Sequence, residues 1–185
     1  MRKLFMFNLI TLDGYFEGPD QDISWHNVDA EFNEYAVDML DSVDTLLFGR
    51  VTYELMASFW PTPEAMKNDP LVAGRMNSLP KIVFSRTLHK VAWQNTRLVK
   101  DNIEEEIKKM KQQPGKDMVL LGSGDIVAGF AQHGLIDEYR IMVNPVVLGQ
   151  GKPLFNGIKE RLNLKLTNTR TFKSGNVLLY YEPVF

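Results

Sequence analysis

The sequence predicts a single α/β domain over residues 1–185, with a mixed, mostly parallel sheet flanked by helices and a C-terminal antiparallel hairpin. Three observations predict it. Leu46-Leu47-Phe48 runs into Gly49, after which the pattern turns helical with Val51, Leu55 and Phe59 on one face. A short apolar run of this kind reads as a strand buried on both sides, as in the middle of a parallel sheet. The same logic repeats where Met118-Val119-Leu120-Leu121 runs into Gly122-Ser123-Gly124-Asp125-Ile126. Finally, Leu162, Leu164 and Leu166 alternate with polar residues, Ser174-Gly175-Asn176 makes a turn, and Val177 to Tyr181 returns. That is a hairpin.

The two glycine turns carry the functional reading. Gly49 lets a buried strand turn sharply and lets another molecule approach the backbone. Arg50 and Thr52 then stand at a helix N-terminus, where free N–H groups and the positive end of the dipole favour a phosphate. Gly122, Ser123 and Gly124 offer a second such place, with Asp125 and Ile126 in the first helical turn. Two phosphate-type turns on one chain point to a dinucleotide. The plain alternative for each is a strand–helix connection with an exposed side chain. Asp125 in particular would repel a phosphate, so contact there would run through backbone N–H.

Composition narrows the rest. Twenty-one basic against 23 acidic residues leave a net charge of −2, with no long basic block, which argues against nucleic acid as a partner. With no cysteine, disulfides, thiolate metal sites, cysteine nucleophiles and the zinc-deaminase signature are excluded. The three histidines show no ligand spacing, so no metal site is expected. The apolar start Leu4-Phe5-Met6-Phe7 is interrupted by Asn8 and Asp13 too early for a signal peptide, and no apolar run would span a membrane. A soluble cytoplasmic protein is the expectation.

Taken in order, residues 3–10 read as a first strand and Thr11 to Asp20 as a loop, with Tyr15 and Phe16 giving it something to bury. Loops of this length in a compact domain are commonly lids. Asp29 caps a helix whose core stripe is Phe32, Tyr35, Ala36, Met39 and Leu40. Thr62-Pro63 and Asp69-Pro70 each open a short helix. Lys81 to Arg86 reads as a third buried strand ending in Ser85 and Arg86, either anion-binding or a solvated strand end. Asp101 and Glu104 make a capping box for a helix with Ile103, Ile107 and Met110 inward. Ile126, Val127, Phe130 and Ala131 line a helix that Gly134 ends. Tyr139 to Leu148 reads as a long strand in which Pro145 marks a bulge or an edge. An apolar edge would be protected by a second subunit, which predicts a homodimer through this segment.

Gly49-Arg50-x-Thr52-Tyr53-Glu54, Ser85 after the next strand, and Gly122-Ser123-Gly124 together resemble dihydrofolate reductase. The closer resemblance is to the reductase domain of the bifunctional riboflavin-biosynthesis deaminase–reductase and its free-standing relatives. Leu12-Asp13-Gly14-Tyr15 resembles the opening signature of that group. Gly134-Leu135-Ile136-Asp137-Glu138 and Pro145 to Phe155 resemble its closing ones. The resemblance covers almost the whole chain and implies a dihydrofolate-reductase-like fold, NADPH as cofactor and a homodimer. One expected feature is missing. Dihydrofolate reductases carry a carboxylate five residues after a tryptophan, and counting from Trp25 that position is Ala30, between Asp29 and Glu31. Folate reduction is therefore unsupported, and so is the riboflavin pathway, since the deaminase half is absent.

The implied activity is hydride transfer from NADPH to a small organic substrate, with pterin-, pyrimidine- and flavin-precursor-like molecules open. Candidate cofactor residues are Gly49, Arg50, Thr52, Ser85, Arg86, Gly122, Ser123, Gly124, Asp125 and Ile126. Phe16 and Trp25 are candidates for the substrate pocket, although a tryptophan is as readily core. A proton would come from water or from Asp13, Asp29 or Glu31, and Asp13 could equally just form a turn with Gly14. A different class of function fits the same fold: a nucleotide- or ligand-binding module without catalysis.

Overall fold

The computed structural model describes all residues, 1–185. The strands are β1 (Leu4–Thr11), β2 (Tyr15–Glu17), β3 (Val43–Gly49), β4 (Lys81–Phe84), β5 (Thr96–Val99), β6 (Asp117–Leu120), β7 (Glu138–Asn144), β8 (Lys152–Pro153), β9 (Asn163–Thr171) and β10 (Val177–Val184). The helices are α1 (Ala30–Asp41), α2 (Arg50–Phe59), α3 (Pro63–Asn68), α4 (Pro70–Ser78), α5 (Ile103–Gln112) and α6 (Gly124–Gln132). Eight strands form one sheet in the order β5-β4-β3-β6-β1-β7-β10-β9, and β2 pairs with β8 in a separate ribbon. From β5 to β7 every neighbouring pair is parallel, and β10 pairs antiparallel with β7 and β9.

Strand side chains alternate between faces, so two cores result. Leu4, Met6, Leu47, Met118 and Leu120 pack with Ile107, Met110, Val127 and Phe130 of α5 and α6. Phe5, Phe7, Leu46, Phe48 and Val119 pack with Tyr35, Met39, Leu40, Val72 and Met76 of α1 and α4. Both faces of β3 and β6 are thus covered, which is why their sequences are nearly continuous apolar runs. Helices α1 and α6 lie on opposite faces. The connection from β1 to β3 and that from β6 to β7 therefore diverge at the β6/β1 boundary. Open α/β sheets bind ligands at such a divergence, outside the carboxyl ends of the strands.

Most elements lie where the sequence puts them, with Asp29 Oδ1 accepting from Phe32 N at 2.9 Å and Thr62 Oγ1 from Ala65 N at 3.2 Å. Five expectations need correcting. The face of α2 carrying Val51, Leu55 and Phe59 is not the buried one: Thr52 and Tyr53 are buried, while Leu55 and Phe59 are exposed. Tyr53 turns inward because Phe48 and Trp93 form an aromatic cluster with it. The Asp101–Glu104 capping box does not form, since Asn102 is the N-cap in a left-handed conformation (φ 54°) and Asp101 faces Arg86. Strand β7 stops at Asn144 instead of running to Leu148, and it lies inside the sheet between β1 and β10, so it is no edge. The open edges are β5, which the sequence reading did not contain, and β9. The expected loop after β1 holds β2, and β4 ends at Phe84, short of Ser85 and Arg86.

Candidate functional site

The two glycine turns meet. Gly49 N donates to Gly122 O at 2.7 Å, and Leu121 N donates to Leu47 O at 3.0 Å, so the ends of β3 and β6 are stitched together. A Cβ on Gly49 would stand 3.0 Å from Ser123 Oγ and 3.3 Å from Ile126 Cγ2, so a larger residue would force the turns apart. Gly122 has φ +126°, and a Cβ there would meet Thr52 Oγ1 at 2.8 Å and the tip of the Phe16 ring at 3.4 Å. A Cβ on Gly124 would stand 3.2 Å from Leu154 O. Neither Gly49 nor Ser123 caps its helix with a side chain. The first-turn N–H groups of α2 and α6 thus remain available to an outside acceptor. This cradle, with glycine wherever a Cβ would intrude, fits the phosphates of a dinucleotide.

Gly49, Thr52, Gly122, Ser123, Gly124, Ile126 and Phe16 are therefore brought together. Gly49 pairs in register with Phe84, so Arg50 and Ser85 leave neighbouring parallel strands on the same side of the sheet. Arg50 Nη1 lies 2.9 Å from Glu54 Oε2, and Arg86, 81% exposed, lies 3.5 Å from Asp101. Ser85 Oγ accepts from Thr87 N and Leu88 N and shapes its own turn. A groove of about 350 Å³ between α5 and α6 is lined by Arg86, Asn102, Ile103, Asp125 and Ile126, joining three cofactor candidates. Asp125 lies 3.1 Å from Lys152 Nζ, which offsets its charge at the α6 N-terminus.

The carboxylates are placed differently. Asp13 accepts from Thr11 Oγ1 at 2.6 Å, from Leu148 N at 3.2 Å and from Gly149 N at 2.7 Å. The Thr11 hydroxyl above all holds its carboxyl below the usual range, the opposite of what a proton donor at neutral pH requires. Its placement ties the turn after β1 to the loop before β8. Asp29 caps α1, and Glu31 Oε2 accepts from Lys173 N at 2.9 Å. Trp25 donates its indole N–H to Asp22 O at 3.0 Å and stacks edge-on against His26. Burial lowers the His26 pKa to about 4, so its ring is neutral at pH 7. Asn27, next along, bonds Asn144 and the β9–β10 turn. That segment braces the carboxyl end of β7.

Two residues that the sequence reading passed over belong here. Lys152 is one. Asn8 is the other: 3% exposed, it donates from Nδ2 to Leu121 O at 3.3 Å, while Oδ1 is buried with no partner. Its signal was available, as the one amide in an otherwise apolar strand from Leu4 to Ile10. No three His, Asp or Glu side chains converge as metal ligands, and no helix is long and apolar enough to cross a membrane.

Comparison with known proteins agrees with this architecture. The uncharacterized protein YyaP of Bacillus subtilis is 39% identical over 181 residues, covering 98% of this chain and 95% of that one. A crystal structure from Shewanella sp. PV-4, provisionally named a riboflavin biosynthesis protein, superposes with a TM-score of 0.77 at 24% identity, covering 99% of each chain. Dihydrofolate reductase from Enterococcus faecalis, solved with NADP(H), superposes with a TM-score of 0.67 at 14% identity, over 98% of this chain and 96% of that one. The fold is thus dihydrofolate-reductase-like. The model of the RibD C-terminal domain matches residues 2–178, and the chain belongs to that family.

Proposed function

We propose that the protein is an NADPH-dependent reductase acting on a small organic substrate. The observation that carries this reading is the hydrogen-bonded pair of glycine turns at the carboxyl ends of β3 and β6, the second of them bordering the divergence point of the sheet. NADPH, when bound, supplies the hydride, and the protein supplies position and electrostatics. The first turns of α2 and α6 hold the phosphates through N–H groups, and Lys152 offsets Asp125 beside them. Phe16, on the β2–β8 ribbon, covers Gly122 and excludes water, while Asp13 fixes that ribbon against the sheet. The proton comes from solvent, since Asp13 is held ionised and Asp29 and Glu31 are engaged elsewhere. Those engaged carboxylates favour a second reading, in which the domain binds the dinucleotide without turnover. Steady NADPH oxidation in the presence of a panel of carbonyl and imine compounds supports the reductase. Tight cofactor binding with no turnover across the panel supports the binding module instead.

Arg50 and Arg86 are proposed to select NADPH over NADH by donating to the adenosine 2′-phosphate, as planar guanidinium groups suit phosphate oxygens. Both are solvent-exposed, so each contributes about 1 kcal/mol, or roughly fivefold in affinity. Arg50→Ala and Arg86→Ala should each weaken NADPH by about that factor with NADH hardly changed. Equal weakening of both cofactors would place the arginines on the shared pyrophosphate.

A homodimer is part of the proposal, although its basis moves from β7 to β9. That edge strand exposes its backbone and Leu166, the arrangement a second subunit protects. Sedimentation at tens of micromolar should give twice the monomer mass, and a monomer would remove the dimer from the account.

A further inference from the structure

Asn156 is the one asparagine of the chain that precedes a glycine. Asparagine is among the thermally labile residues, and a following glycine, lacking a Cβ, leaves its own backbone nitrogen open to approach. The structure keeps both reacting groups free. Asn156 and Gly157 are exposed in the turn that follows β8. The Asn156 side-chain amide has no protein partner, and Gly157 N donates to no carbonyl. The turn is closed only by Ile158 N donating to Phe155 O at 3.5 Å, a long hydrogen bond. Gly157 has φ +87°, and a Cβ there would meet nothing within 4 Å. Asp13-Gly14, where the same ring closure is open to an aspartate, is built the opposite way. Gly14 N donates to Thr11 O at 3.0 Å, and the Asp13 carboxylate accepts from Thr11 Oγ1, Leu148 N and Gly149 N.

We propose that Asn156 is a site of self-modification, where the chain converts the asparagine to aspartate and isoaspartate and so loosens the strap that holds α6. Gly157 N attacks Asn156 Cγ, and the new C–N bond closes a cyclic imide. The side-chain nitrogen leaves as ammonia, taking the proton from Gly157 N. Water then adds to one of the two imide carbonyls. Opening at the side-chain carbonyl gives aspartate. Opening at the main-chain carbonyl routes the backbone through Cβ and Cγ as isoaspartate. Nothing is oxidised or reduced, and water is the only co-reactant. The position gives the change its consequence, because residues 154–160 are fixed to α6 at both ends. Leu154 is 1% exposed, and its carbonyl stands 3.2 Å from where a Cβ on Gly124 would be, at the start of α6. At the far end of the helix, Lys159 N and Glu160 N donate to Gln132 Oε1 at 3.0 and 3.3 Å. Isoaspartate adds a main-chain carbon between these anchors, so the strap must bulge or release one of them. Either product also adds a negative charge.

The test ages the purified protein at mildly alkaline pH beside a synthetic peptide of residues 150–162. An Asn156→Gln variant is aged in parallel, since its longer side chain closes the ring far more slowly. Peptide mapping by mass spectrometry reads conversion as NH replaced by O, and enzymatic methylation of isoaspartate separates the two products. Conversion should be confined to Asn156, with isoaspartate in excess, while Asp13 stays unmodified. It should run no more than about tenfold slower than in the peptide, equivalent to about 1.4 kcal/mol, because only one weak turn bond must open. The converted protein should melt below fresh protein, and the glutamine variant should keep its melting temperature. Absent conversion, or conversion far slower than that tenfold limit, would show the turn to be rigid and overturn the site. Conversion with an unchanged melting temperature would overturn the loosening of α6, as would an equal fall in the glutamine variant.

Discussion

Gly122→Ala is expected to weaken NADP+ binding by roughly 5- to 150-fold, the equivalent of about 1–3 kcal/mol of overpacking. The methyl group has no room. It would meet Thr52 Oγ1 at 2.8 Å, on a residue that is itself buried at the start of α2. The backbone at φ +126° adds strain, because that region admits glycine and few other residues. Either the methyl group occupies the nook proposed for the cofactor or the turn shifts and breaks the Gly49 N–Gly122 O bond. Both outcomes damage the cradle. Gly74→Ala is the control: it lies within α4, its Cβ would meet nothing within 4 Å, and it should stabilise the fold by about 0.5–1 kcal/mol. Titration calorimetry on the two variants decides the point. Equal NADP+ affinities would separate the glycine turns from ligand binding.

The largest loss of stability should come from Lys81, far from that site. It is 1% exposed, and its Nζ donates to Met76 O at 2.8 Å, Asn77 O at 3.0 Å and Leu79 O at 2.7 Å. It thereby closes the C-terminal end of α4, where helical carbonyls lack partners, and it lies 4.5 Å from the centre of the Trp93 ring. Burial lowers its pKa to about 8, so the ammonium is still charged at neutral pH. Lys81→Met keeps the stem and removes all three donors. With hydrogen bonds from a charged group worth about 1.5–3 kcal/mol each and not additive, a loss of about 3 kcal/mol is expected. For a domain of this size that lowers the melting temperature by roughly 6–12 °C. A variant that melts with wild type would show that water replaces the lysine without cost.

The central strands and the two turns were legible because burial on both faces leaves no polar position to blur the pattern. Leu46, Leu47, Phe48, Met118, Val119 and Leu120 are all fully buried. The periphery was not legible. Strand β5 is four residues at an edge with Arg97 exposed, and short edge strands carry no alternation to read. The inward face of α2 was hidden because its partner, Trp93, lies 40 residues beyond Tyr53 in a segment without periodicity. Pro145 did mark a break, but the sequence could not say that β10 would add beside β7 and bury it. The candidate carboxylates were named for their chemical type alone. It is the folded chain that occupies Asp13, Asp29 and Glu31 with backbone N–H groups. Asn8 was passed over for the opposite reason, as a polar interruption in an apolar run.

The claim that the paired glycine turns hold a dinucleotide is tested most directly by thermal unfolding with and without NADP+. A ligand that binds only the folded state at 100 times its dissociation constant stabilises it by about 2.7 kcal/mol, which raises the melting temperature by roughly 5–11 °C. The account predicts that rise for wild type at millimolar NADP+, a smaller one with NAD+, and little or none for Gly122→Ala. An unchanged melting temperature for folded wild-type protein at that concentration would contradict it, as would an equal rise in the Gly122→Ala variant.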